Sequence, residues 1–144
     1  MTVSIRHTGL VVSDLECALK FWCEVFHFEI VTRMNEEGRF VDAMMGLQGV
    51  RVTTIKLNAP DGGMLELLNF QSHPDKNNWI GEPFSTGLTH IALTVIGINS
   101  ILMKMKSFGC EVKNNPQLSP DGKVKVVYAK GPEGVLLELV ELIN

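Results

Sequence analysis

No apolar run in this sequence approaches the roughly 18 residues that a membrane-spanning helix requires. The stretch from Met1 to Arg6 has no basic segment followed by an apolar one, so a secretory leader is not expected. Cysteine is sparse and odd in number (Cys17, Cys23 and Cys110), and no CxxC pair occurs. That argues against a disulfide framework and fits three packing or surface thiols in a reducing compartment, most simply the cytoplasm. Positive charge is not in excess: the net charge is −3 at pH 7 and the pI is about 5.8. Nucleic-acid binders usually carry a basic stripe, so neither nucleic acid nor a membrane is an expected partner.

What is present suits a folded chain. A hydrophobic fraction of 45% and a charged fraction of 20% are ordinary for a globular protein. At 144 residues the chain is long enough for one domain with a real core, or for two small fused modules.

An internal repeat decides between these. Ala59-Pro60-Asp61-Gly62-Gly63-Met64-Leu65-Glu66-Leu67-Leu68 lies without gaps on Gly131-Pro132-Glu133-Gly134-Val135-Leu136-Leu137-Glu138-Leu139-Val140. His7-Thr8-Gly9-Leu10-Val11-Val12 matches His90-Ile91-Ala92-Leu93-Thr94-Val95, and Phe26-His27-Phe28-Glu29-Ile30 matches Phe108-Gly109-Cys110-Glu111-Val112. One such patch is weak, because Pro-Asp-Gly turns before strands are common. Three in the same order define two tandem modules, 3–70 and 88–142, within one domain over 1–144. The Ser, Pro, Asp, Asn and Gly of 71–87 read as their linker.

Each module reads β-α-β-β-β, an α+β class. The first strand alternates Thr8, Leu10 and Val12 with Ile5, His7, Gly9 and Val11. Its counterpart alternates Ile91, Leu93 and Val95 with Leu88, His90, Ala92 and Thr94. One face is apolar and suits a covering helix; the other carries the histidine beside small residues. The first helix starts after Ser13, with Ser13 and Glu16 as a capping box. Leu15, Leu19, Trp22 and Val25/Phe26 recur at helical spacing, as do Ile98, Ile101/Leu102, Met105 and Phe108. Gly109 supplies a left-handed cap, and His27 takes that place in the first module. Strand patterns follow at 29–33, 50–57 and 64–70, then at 111–113, 124–130 and 135–142. A short extra helix is expected over 40–47.

Glu66 alternates with Leu65 and Leu67, and Glu138 with Leu137 and Leu139, so each glutamate projects to the face of the histidine. An ionised, unpaired glutamate inside such an apolar run costs several kcal/mol. A cation removes that penalty. His7, Glu66, His90 and Glu138 are therefore the expected ligands of one divalent metal ion. Two imidazoles with two carboxylates suit Zn, Ni, Co, Fe or Mn, and a six-coordinate ion keeps two positions for water or substrate. Arg33, Arg39 and Arg51 are candidates to hold a substrate anion. Phe40, Met44, Met45, Phe70, Trp79 and Phe84 are candidates for an apolar pocket, although packing explains them equally well. His27 and His73 read as a helix end and a solvated linker residue.

The paired modules, with His near the start and Glu near the end of each, resemble the vicinal-oxygen-chelate superfamily. It includes glyoxalase I, methylmalonyl-CoA epimerase, extradiol dioxygenases, and fosfomycin and bleomycin resistance proteins. The carrying motifs are His7 to Val12, Pro60-Asp61-Gly62 with Glu66, Gly87 to Leu93, and Pro132-Glu133-Gly134 with Glu138. The resemblance implies the glyoxalase/bleomycin resistance/dioxygenase fold, with the modules forming a half-barrel metal site. The order His, Glu, His, Glu looks most like glyoxalase I, whereas methylmalonyl-CoA epimerases commonly carry Gln at the place of Glu66.

The chemistry implied is a lyase or isomerase reaction on a small molecule with vicinal oxygens. The ion polarises the chelated carbonyl, and Glu66 or Glu138 abstracts the neighbouring proton. An epimerase is the nearest alternative. A non-catalytic drug- or metabolite-binding protein and an Fe(II) dioxygenase are the others. A homodimer is expected, with the site either within one chain or across two.

Overall fold

The computed structural model describes residues 3–74 and 79–144. Met1, Thr2 and part of the expected linker (75–78) lie outside the described residues. The chain divides into two units, Met1–Lys76 and Asn77–Asn144. No helix among the described residues is long and apolar enough to cross a membrane.

In the first unit, strand β1 (Thr8–Val11) leads into helix α1 (Leu15–Phe26), then β2 (Glu29–Glu37), a short α2 (Arg39–Met45), β3 (Arg51–Asn58) and β4 (Met64–Phe70). The sheet order is β1-β4-β3-β2, with β1 parallel to β4 and the other neighbours antiparallel. In the second unit, β5 (Ile91–Thr94), α3 (Ile98–Ser107), β6 (Gln117–Leu118), β7 (Val124–Lys130) and β8 (Leu136–Leu142) repeat that plan in the order β5-β8-β7-β6. Both units are β-α-β-β-β modules, as the repeat predicts.

The alternation holds. Along β1, Thr8 and Leu10 are half-buried while Gly9 and Val11 are exposed. Helix α1 buries Leu15, Ala18, Leu19, Phe21, Trp22, Val25 and Phe26. These join a core that includes Ile55, Leu57, Leu65 and Leu67, each 3% exposed or less. Phe21 meets Trp22 and Phe26 edge-on, at centroid distances of 5.6 and 5.4 Å. In the second unit Ile98, Leu102 and Met105 of α3 are buried, as are Val127, Leu137 and Leu139. Equivalent side chains tie each last strand to its strand–helix turn. Asn69 Nδ2 donates to the carbonyls of Val12 and Ser13 at 2.8 and 3.1 Å, and the Glu141 carboxylate accepts from Gly97 N and Ile98 N.

Helix α2 belongs to the first unit alone. Its Val41 forms a buried cluster with Val50 and Val52, against which Met45, Leu68 and Phe70 pack. Leu68 and Phe70 share the strand parity of Glu66, so α2 covers one end of the face that bears that glutamate. The Asp42 carboxylate accepts from Gly49 N and Val50 N at 2.9 and 2.8 Å and closes the return to β3.

Three details differ from the sequence reading. The first strands begin late, at Thr8 and Ile91, because their pairing with β4 and β8 starts only at Leu65 and Leu137, near the beginning of those strands. Ile5 is accordingly 93% exposed. The cap of α1 is Asp14, whose Oδ1 accepts from Cys17 N at 3.0 Å, rather than a Ser13–Glu16 box. Glu16 instead receives Arg33. Residues 111–113 form no strand: Lys130 N donates once to Glu111 O, and the ladder resumes only after Pro116, at Gln117.

His27 closes α1 with φ 58° and ψ 33°, its N–H bonded to Trp22 O. A left-handed conformation is strained for any side chain with a Cβ. His27→Gly is expected to raise stability by roughly 0.5–1 kcal/mol. Asp14→Ala is expected to lower it by about 1 kcal/mol. Chemical-denaturation midpoints of the two variants against the parent chain measure both.

Candidate functional site

Leu65 and Leu67 are buried under the helix, so Glu66 between them has only the other face of the sheet. The register sets its neighbours: Gly9 on β1 and Lys56 on β3 lie directly opposite Glu66. His7, two positions before Gly9, reaches the same face. Its Nε2 stands 3.7 Å from Glu66 Oε1, with the side chains 29% and 15% exposed. That separation is too long for a hydrogen bond. The other ring nitrogen, Nδ1, is buried with no hydrogen-bond partner among the described residues.

The second unit builds the same pair. Ala92 and Tyr128 lie opposite Glu138 in the register, and His90 Nε2 is 3.1 Å from Glu138 Oε2. Two further groups hold this pair. Tyr128 Oη donates to Glu138 Oε2 at 3.3 Å, and its ring meets His90 edge-on with centroids 5.2 Å apart. Thr89 Oγ1 lies 3.0 Å from His90 Nδ1. When Thr89 accepts the Nδ1 proton, Nε2 is left free to share a cation with the carboxylate, and such donation by the other ring nitrogen is common behind metal-ligating histidines. Burial, then the charge of Glu138 and its hydrogen bond, push the Tyr128 phenol above its ordinary pKa of 10.0.

The structure thus brings His7 to Glu66 and His90 to Glu138. Within each unit no third His, Cys, Asp or Glu joins the pair to make a ligand cluster among the described residues. The donor types fit a borderline divalent ion. The orphaned Nδ1 of His7, and the unbonded approach of its Nε2 to a carboxylate, are what an imidazole awaiting another partner looks like.

The other candidates are dispersed. Arg33 Nη2 bonds Glu16 Oε1 at 3.0 Å on the helix-covered side, away from Glu66. Arg39 opens α2, and Arg51 opens β3 with its backbone N on Ser72 Oγ. Phe70 packs with Met45 on the α2 cluster. Phe40 and Met44 of the first unit are 77% and 57% exposed, and Trp79 and Phe84 of the second are 45% and 86% exposed. Sequence reasoning missed Tyr128 and Lys56. Each stands at the same spacing before its glutamate, a signal present in the repeat once the alignment is carried upstream.

Residues 4–139 match the model of the Glyoxalase/Bleomycin resistance protein/Dioxygenase superfamily. The chain is 30% identical to glyoxalase I of Saccharomyces cerevisiae over 96% of its own length, but spans only 45% of that protein. It is 24% identical to a probable lactoylglutathione lyase of Synechocystis sp., with 95% of this chain and 94% of that protein covered. In fold it is similar to a glyoxalase family protein from Bacillus cereus, with a TM-score of 0.90, 24% identity, and 100% and 97% of the two chains covered.

Tyr128 is the single tyrosine of the chain, so an alkaline ultraviolet titration of the metal-free protein reads it alone. The midpoint is expected above the ordinary phenol value. Glu138→Gln removes the facing negative charge and is expected to bring it down. A midpoint that does not move in this variant would contradict the coupling.

Proposed function

We infer what this chain does from one premise: it belongs to the Glyoxalase/Bleomycin resistance protein/Dioxygenase superfamily. We propose that the two units act as one domain over 1–144, in which His7, Glu66, His90 and Glu138 hold a single divalent ion (Ni, Zn, Co, Mn or Fe). The reaction is of the glyoxalase I type, on a small molecule with vicinal oxygens. One observation carries this reading: in both sheets an imidazole faces a carboxylate at the same register, on the face the helix leaves open.

When bound, the ion supplies Lewis acidity toward the oxygens of the substrate. The protein supplies the proton acceptor. A carboxylate beside the carbon next to a carbonyl takes its proton and returns it to the neighbouring carbon. Glu138 is held by the Tyr128 hydroxyl, whereas Glu66 has His7 at 3.7 Å and no comparable donor among the described residues. Glu66 is therefore the freer of the two to move and to carry the proton, with Glu138 anchored. Thr89 and Tyr128 orient His90 and Glu138 and so act through them.

The test has two parts. Protein purified without chelator is expected to retain a transition metal, and to turn over the adduct of methylglyoxal and glutathione, or an epimerisable acyl thioester. Glu66→Gln and Glu138→Gln are each expected to lower turnover about 100-fold or more. Near-parental turnover in both variants, with metal still bound, would overturn the role given to the carboxylates. A chain that holds no transition metal would point instead to a binding protein.

A further inference from the structure

The open face of the first sheet carries a group that the ligand set does not use. Read across the sheet at the level of Glu66, the row is Gly9, Glu66, Lys56 and Thr32. Gly9 offers no side chain and Thr32 a short one. The two long side chains of the row are thus a carboxylate and an ammonium on neighbouring strands. Lys56 is half-buried. It makes no ion pair within 4.0 Å among the described residues: their ion pairs use His7, Arg33, His90 and Lys113.

We propose that Lys56 makes this site selective for substrates that carry a negative charge beside their chelating oxygens. The proposal rests on the metal-dependent reading above. A cation partly removed from water with no counter-ion costs free energy, which an anionic group on a ligand offsets.

The second sheet sharpens the contrast. At the equivalent position stands Tyr128, whose hydroxyl is already spent on Glu138. At this place the two halves therefore differ: a neutral phenol serves the protein's own carboxylate, and a cation is left for a ligand. On the first sheet the other end of the face is closed by α2 over Leu68 and Phe70, and there the Glu36 carboxylate accepts from Thr54 Oγ1. An anionic group has Lys56, with the Thr32 hydroxyl next in the row, as its only charged recess there among the described residues of that row.

Tartronate and glycolate test this, because both chelate through a hydroxyl and a carboxylate and only tartronate has a second carboxylate. On the Mn(II)-loaded chain, tartronate is expected to bind about tenfold more tightly than glycolate. Lys56→Met is expected to erase that preference while the chain still takes up Mn(II), read by electron paramagnetic resonance. Lys56→Arg is expected to keep most of it. A preference undiminished in Lys56→Met overturns the proposal. If the parent chain holds no Mn(II), the metal reading fails on its own. Tartronate titrated into the metal-free protein then still reads Lys56 by nuclear magnetic resonance. Shifts at Lys56 and its strand neighbours that vanish in Lys56→Met support the cation site, and shifts that persist overturn it.

Discussion

Burial of one face of each sheet is the constraint from which the rest follows. Leu65, Leu67, Leu137 and Leu139 are 3% exposed or less, and successive strand residues must alternate. The glutamate between each pair of leucines has one direction left. A one-residue slip of β4 or β8 would put a carboxylate into the core and two leucines into water, which the apolar burial forbids. Position of the acid groups is thus enforced by the hydrophobic core, not by contacts of the acids themselves.

The two halves share a backbone plan and differ in what they hang on it. Asn69 and Glu141 both lash a last strand to its strand–helix turn, one by donating and the other by accepting. His90 has Thr89 behind it and Tyr128 beside it, whereas His7 has a bare Nδ1. Helix α2 covers part of one open face and has no counterpart among the described residues of the other unit. A duplicated scaffold with unequal decoration can hold a ligand in one orientation, which a symmetric one cannot.

Much of this was legible in the residues. Three matching patches gave the modules, and alternation around Glu66 and Glu138 gave their face. What the sequence reading misplaced was local. Asp14 rather than Ser13 caps α1, a shift of one residue at a helix end, where boundaries are least determined by pattern. Strands started late because pairing depends on where the partner begins, information that sits at Met64 and Leu136, far along the chain. Tyr128 and Lys56 escaped because a strand tyrosine reads as ordinary β-propensity and a strand lysine as a surface charge. Only the cross-strand register puts either beside a glutamate. The charge of Arg33 suggests a substrate anion, whereas its strand parity turns it toward α1 and Glu16.

The parallel pairing of β1 with β4 joins the first and last strands of the module. His7 and Glu66 are therefore brought together across the whole length of the module. Closing so long a loop is among the slower events of folding, since its entropy is lost before any contact across it forms. The pair is a seal on the finished module. An incompletely folded chain would present loose imidazoles and carboxylates but no preformed pair.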